Sequence, residues 1–128
     1  MSHFTHMKTR FQNLSYLEKA LNRLHVSYQA QEKQISKQST AKHLIISQPN
    51  GYDVEFAWNG QEYELVVDLS FWEQPYPVQS FIDKVAQHYA GEVIIGESQK
   101  TGFQPVKYQE NSDGSNTLVL ERWSNKVS

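Results

Sequence analysis

No cysteine occurs in the 128 residues, and that one absence removes disulfides, thiolate nucleophiles, iron–sulfur ligation and cysteine-based zinc sites together. Any cofactor would need other ligands, and none is predicted. Long apolar runs are missing too. The longest strictly apolar stretches are short ones such as Val93-Ile94-Ile95, far below the roughly 18 consecutive apolar residues of a membrane-spanning helix. The expectation is a soluble chain without membrane insertion. Met1-Ser2-His3-Phe4 runs straight into alternating sequence, with neither the apolar core of a secretory signal nor an Arg/Ser-rich transit helix, so the chain is expected to work where it is made. Internal repeats and low-complexity tracts are absent as well.

Positive charge is missing from one long stretch. Residues 43–83 hold seven Asp/Glu and no Lys or Arg, whereas residues 1–42 hold seven Lys/Arg against two Glu, and residues 84–128 hold five of each sign. The formal net charge of −2 hides this segregation. Two opposed blocks can mark a partner surface or can neutralise each other within one fold.

With 38% hydrophobic and 20% charged residues, the chain fits one domain over residues 1–128, its last few residues (about 125–128) forming a loose tail. His3 to Phe11 alternates as a strand does, with Lys8 and Arg10 on one face and Met7, Thr9 and Phe11 on the other. Ser15 followed by Glu18 has the form of a capping box. Leu14, Leu17, Leu21 and Leu24 recur at helical spacing, predicting a helix from about Tyr16 to His25 that carries Lys19 and Arg23 on its polar face. Val26 to Ala41 reads as an edge strand with a mobile connection.

Pro49-Asn50-Gly51 and Asn59-Gly60 then punctuate a three-strand meander, roughly 42–48, 52–58 and 61–69. A two-residue loop at Asn59-Gly60 sets Trp58 against Gln61, Phe56 against Tyr63, Val54 against Leu65 and Tyr52 against Val67. The opposite face would carry Asp53, Glu55, Glu62, Glu64 and Asp68, with Glu55 directly across from Glu64. Val78, Phe81, Ile82, Val85 and Tyr89 trace an amphipathic helix after Pro75 and Pro77, continued or followed by helix up to Gly102. A final hairpin spans about 103–109 and 117–123. The fold class is α+β: a mainly antiparallel sheet of about six to seven strands with two or three helices on one face.

Met1-Ser2-His3-Phe4 with Lys8-Thr9, Trp58-Asn59-Gly60 with Tyr63-Glu64-Leu65-Val66-Val67-Asp68-Leu69 and Phe71-Trp72, Gly96-Glu97-Ser98 with Gly102-Phe103, and Asp113-Gly114-Ser115 with Leu118-Val119-Leu120 and Arg122-Trp123 together resemble the hypothetical chloroplast open reading frame thirty-five family. That resemblance implies a plastid stroma or a cyanobacterial cytoplasm. It brings no established activity and so no functional residues. His88-Tyr89-Ala90-Gly91 stands where the family would have Arg-Tyr-Ala-Tyr. The resemblance also favours helix over strand at Val93–Ile95.

Known chemistries do not fit. Gly96-Glu97-Ser98-Gln99-Lys100-Thr101 has the outline of a phosphate loop, but Gln99 stands where a Gly must precede the Lys, and Ile94 where the first Gly belongs. No nucleophile elbow, dinucleotide glycine pattern or paired-His helix is present. His3 and His6, three apart on a strand, point to opposite faces and do not share a metal. His25, His43 and His88 are isolated and read as surface or boundary residues.

Two facing glutamates about 4.5–5.5 Å apart repel, so the acidic hairpin face needs an offset. Lys/Arg from the basic first segments, a divalent cation or a basic partner surface could each supply it. Phe71-Trp72 and Tyr76 form either a lid on the core or an aromatic anchor for a partner, and Trp123 has the same two readings. The sequence reading is thus a non-catalytic accessory or assembly-type protein. It would recognise a protein partner through Asp53, Glu55, Glu62, Glu64, Asp68, Trp72 and Tyr76. An enzyme or small-ligand carrier with a pocket between sheet and helices is the second reading. Nucleic-acid binding through Lys8, Arg10, Lys19 and Arg23 stands third, because the chain is net acidic and no predicted strand interleaves basic with stacking aromatic residues.

Overall fold

The computed structural model describes residues 3–122; Trp123 and the 125–128 tail lie outside the described residues. Its elements run β1 (Phe4–Phe11), α1 (Leu14–Arg23), β2 (Gln29–Ser36), β3 (Ser39–Ile46), β4 (Val54–Trp58), β5 (Tyr63–Asp68), a single 3-10 turn (Leu69–Phe71), α2 (Val78–Lys100), β6 (Phe103–Glu110) and β7 (Asn116–Arg122). Strands β2 to β5 form an antiparallel meander, and β1 joins it along β5, giving the order β1-β5-β4-β3-β2. Among the described residues, strands β6 and β7 pair only with each other. The fold is α+β as expected, the described residues forming seven strands divided between two sheets, and two α-helices.

The loop between β4 and β5 corrects the expected register. Asn59 Oδ1 accepts from the backbone N–H of both Gln61 and Glu62 at 2.9 Å, and Asn59 N–H donates to the Glu62 carbonyl at 3.0 Å. The loop therefore holds four residues, and Trp58 pairs with Tyr63, Phe56 with Leu65 and Glu55 with Val66. Against the two-residue loop this is a slip of two, which preserves every face because side chains alternate with period two. Val54, Phe56, Tyr63, Leu65 and Val67 are buried. Glu55 and Glu64 are not opposite each other: Glu64 lies between Ala57 on β4 and Lys8 on β1.

Helix α1 is capped by Asn13, whose side chain accepts from Tyr16 N–H at 3.0 Å, in place of the expected Ser15–Glu18 box. Asparagine is as good a cap as serine, and this turn is also tied to α2: the Tyr89 hydroxyl accepts from Gln12 N–H at 3.1 Å and Asn13 N–H at 2.9 Å. The stretch expected to be an edge strand and a mobile connection does hold the edge strand β2, but it continues into β3 as a hairpin whose register shifts between Gln34 and Ser36, with the Ser36 and Ser39 hydroxyls 2.7 Å apart at its turn. Leu17, Ala20 and Leu21 of α1 and Phe81, Ile82 and Val85 of α2 are buried in one core cluster with β3, β4 and β5. Phe56 sits among its rings, 6.3 Å from Phe11 and 6.4 Å from Phe81 between centroids.

Helix α2 is one continuous element of 23 residues, about 34 Å long at 1.5 Å per residue, and Val93–Ile95 lies within it. Gly102 follows with φ of 88°, the left-handed stop expected of a glycine. Its middle is polar yet buried: His88 is 3% exposed and Glu92 5%. Glu92 is hydrogen-bonded to Arg23 of α1, and His88 Nε2 lies 3.9 Å from Glu110 Oε2 on β6, so these groups join α2 to both neighbours.

Burial pushes the His88 imidazole below its usual 6.5, while the Glu110 carboxylate works in the opposite direction. A histidine held neutral in the fold stabilises it above its unfolded pKa, and that contribution is lost as pH falls below about 6.5, where only the unfolded chain takes up the proton. Melting temperature should therefore fall more steeply in the native protein than in His88→Gln between about pH 7.5 and pH 5. Parallel curves for the two proteins would contradict this.

Candidate functional site on the helix-free sheet face

Because both helices pack on one side, strand alternation turns a second set of side chains to the other. From the register these are Phe4, His6 and Lys8 of β1, Gln31 and Lys33 of β2, His43 and Ile45 of β3, Glu55 and Ala57 of β4, and Glu64, Val66 and Asp68 of β5. Asp53 immediately precedes β4, and Glu62 closes the β4–β5 loop.

The charge blocks separated in sequence are interleaved here. Glu55 Oε1 is 2.7 Å from Lys33 Nζ and 2.9 Å from His43 Nδ1. Partial burial alone would raise the Glu55 carboxyl, but the bonds from Lys33 and His43 outweigh it and hold the group below the ordinary carboxylate value. His6 Nδ1 lies 3.7 Å from Glu64 Oε1, and Lys8 is in register with Glu64. Cations from the basic first strands thus sit beside both glutamates. Among the described residues Asp53 and Glu62 form no ion pair.

The face is also concave. A cavity of about 340 Å³ opens between the strands, lined in part by Phe4, Ile45, Tyr52, Asp53, Val66 and Asp68, with the Lys33–Glu55 pair on its wall. Asp68 is 5% exposed. Its Oδ1 accepts from Ser70 N–H at 3.0 Å and caps the 3-10 turn, while Oδ2 is buried with no hydrogen-bond partner. The rim is fixed by Gln48, whose amide nitrogen donates to the Tyr52 and Phe71 carbonyls at 2.5 and 2.9 Å and whose oxygen accepts from Glu73 N–H at 2.8 Å. The Tyr52 and Phe71 rings stack at 3.7 Å beside it.

The other predicted residues go elsewhere. Trp72 donates its indole N–H to the Tyr76 carbonyl at 2.6 Å and packs edge-on against Phe81 at 5.4 Å, while Lys84 Nζ lies 4.8 Å over the Tyr76 ring. Both aromatics therefore pack against the core on the helix side. The four basic residues are not brought onto one surface. Lys8 faces away from the helices, Arg10 stands in the β1 bulge with φ of 64°, Lys19 is exposed on α1, and Arg23 bonds Glu92. His43 and His88, read from the sequence as surface or boundary residues, are both buried. Sequence reasoning missed Lys33 and His43 as partners of Glu55, although the charge segregation was a signal that cations from residues 1–42 would meet the acidic strands. Gln48 gave no signal at all.

Among the described residues no group of three or more His, Asp or Glu is placed to hold a metal ion, and no helix is long and apolar enough to cross a membrane. Residues 20–119 match the family model described as "Protein of unknown function (DUF1257)". The chain is 60% identical over 124 residues to the uncharacterized protein ycf35 of Trieres chinensis, covering 94% of this chain and 97% of that one. It is 40% identical over 126 residues to its namesake in Guillardia theta (96% and 98% covered). The corresponding figure for Cyanophora paradoxa is 36% over 126 residues (96% and 98% covered). No solved structure matches the chain. With a family model spanning most of its length and relatives that align almost throughout, the chain belongs to the DUF1257 family of proteins of unknown function, alongside the uncharacterized ycf35 proteins.

Proposed function

We propose that this chain is a non-catalytic accessory or assembly-type protein of the plastid stroma or cyanobacterial cytoplasm that recognises a basic surface on a protein partner. The observation that carries this reading is the second face of the five-stranded sheet, which no helix among the described residues covers and which gathers carboxylates around an apolar centre of Ile45 and Val66. A face needed only for solubility would not enclose apolar side chains in a cavity. Glu55 and Glu64 are already engaged by Lys33, His43 and His6. The charge offered outward in this reading is therefore mainly that of Asp53, just before β4, and of Glu62, in the loop at the other end of that strand, with Asp68 deeper. Trp72 and Tyr76 stiffen the connection to α2 instead of making the contact.

The test is capture of a tagged chain's partner from an algal lysate at low salt. The expected result is a stoichiometric protein released by raising the salt, with the yield cut about tenfold or more by Asp53→Lys with Glu62→Lys, since opposed charges govern encounter and register. Glu97→Lys on the outer side of α2 should leave it unchanged. Equal capture by the double variant and the native chain would overturn the assigned surface.

A further inference from the structure

We infer that the cavity on the helix-free face is a binding site for an organic cation, an alkylammonium or alkylguanidinium group, with Asp68 as its buried counter-charge. The inference goes beyond the partner reading, since it concerns the chemistry the cavity accepts whether or not a protein supplies it. Four features fix that chemistry. At about 340 Å³ the cavity is at the small end of ligand sites, which suits one side-chain-sized group. Its charges do not cancel: Lys33 is held by Glu55 at 2.7 Å, leaving the carboxylates of Asp53 and Asp68 on the same lining.

Asp68 is 95% buried, yet its Oδ2 receives no hydrogen bond. Native folds rarely leave a buried carboxylate oxygen without a donor, and a cation entering the cavity would provide one in charge-assisted form. The remaining walls are apolar or aromatic. Ile45 and Val66 suit an alkyl stem, and the Phe4 ring, 60% exposed, offers a face of the kind that attracts ammonium and guanidinium groups.

Two other occupants fit less well. A zinc or calcium site built from side chains draws on three or more ligands, and among the described residues no group of three or more His, Asp or Glu is placed to hold one. A neutral polar ligand would leave the Asp68 carboxylate without a counter-charge, and both ends of the Gln48 amide are already taken by the Tyr52, Phe71, Glu73 and Gln74 groups around it. Those same bonds hold the rim in place before any ligand arrives, which favours a preformed site.

The probes are n-butylguanidinium and n-butylammonium chloride, with n-butanol as the uncharged control, titrated into the full chain and followed by the methyl NMR signals of Ile45 and Val66. The expected result is a saturable shift with a Kd on the order of 1 mM, absent with butanol, while the Leu21 and Val85 core methyls stay still. Asp68→Asn keeps an oxygen for the Ser70 cap and should weaken binding about tenfold or more. If that variant does not fold, exposed Asp53→Asn decides instead, with an expected loss of about threefold.

Displacement of a captured protein by butylguanidinium would support the site and assign its cation to a Lys or Arg side chain. Recovery of an amine from the natively purified chain would support it and assign a free metabolite. Absence of a saturable shift with both cations, equal response to butanol, or affinity unchanged in folded Asp68→Asn or in Asp53→Asn would overturn it. Because the probes need no protein partner, this result is independent of the capture experiment.

Discussion

Replacing Arg23 by Ala is expected to cost about 3 kcal/mol of stability, far more than a surface ion pair is worth. The side chain of Glu92 is only 6% exposed, whereas that of Arg23 is 36% exposed and reaches it from the last turn of α1. Removing the guanidinium strands a carboxylate in the seam between α1 and α2, and the cost is mainly that of the charge left behind. Arg23→Met combined with Glu92→Leu should recover most of the loss, because no buried charge then remains. Urea unfolding of the three proteins tests both statements. A loss below about 1 kcal/mol for Arg23→Ala would mean that the pair behaves as an exposed one.

Phe56→Ala should cost about 4 kcal/mol, within the usual range for a phenylalanine removed from a packed core. Phe56 is 0% exposed and lies between the rings of Phe11 and Phe81, so it joins β1, β4 and α2 at one point. The next residue, Ala57, points to the helix-free face and pairs with Glu64. Ala57→Ser should change stability by less than about 0.5 kcal/mol. The contrast between adjacent positions in urea unfolding tests which side of the sheet is the core. Similar losses at both would mean that the helix-free face is packed as tightly as the other.

How much of this was written in the sequence follows from range. The alternation of Val54-Glu55-Phe56 and Tyr63-Glu64-Leu65 announced both strands and which face they bury. Asn59-Gly60 announced the turn between them. What it left open was the loop length, because Asn59 can close either a two-residue turn or, through its side chain, the four-residue loop observed. A slip of two residues leaves faces intact but changes every partner, so the expected Glu55–Glu64 pair dissolved while the acidic face survived. The cap of α1 passed from Ser15 to Asn13 because the Tyr89 hydroxyl, 76 residues away, meets the backbone there, a contact that no local rule contains.

The candidate site was legible in the same partial way. Asp53, Glu55, Glu64 and Asp68 were placed on one face by period alone. The pairing of Glu55 with Lys33 and of Glu64 with His6 depends on β2 and β1 taking opposite edges of the sheet, which is a topological outcome. The cavity needs the Gln48 rim and the 3-10 turn after Asp68 as well. Trp72 and Tyr76 had two sequence readings, and the indole bond to the Tyr76 carbonyl with the Phe81 contact draws them to the core side.

In the proposed function the helix-free acidic face is the contact surface. Carbodiimide labelling of carboxylates in the isolated chain and in its captured complex, read residue by residue by mass spectrometry, tests it most directly. Protection of Asp53, Glu62 and Glu64, with Asp83 and Glu97 of α2 labelled equally in both states, is the predicted result. Protection of the α2 carboxylates while Asp53 and Glu62 stay fully reactive would contradict it.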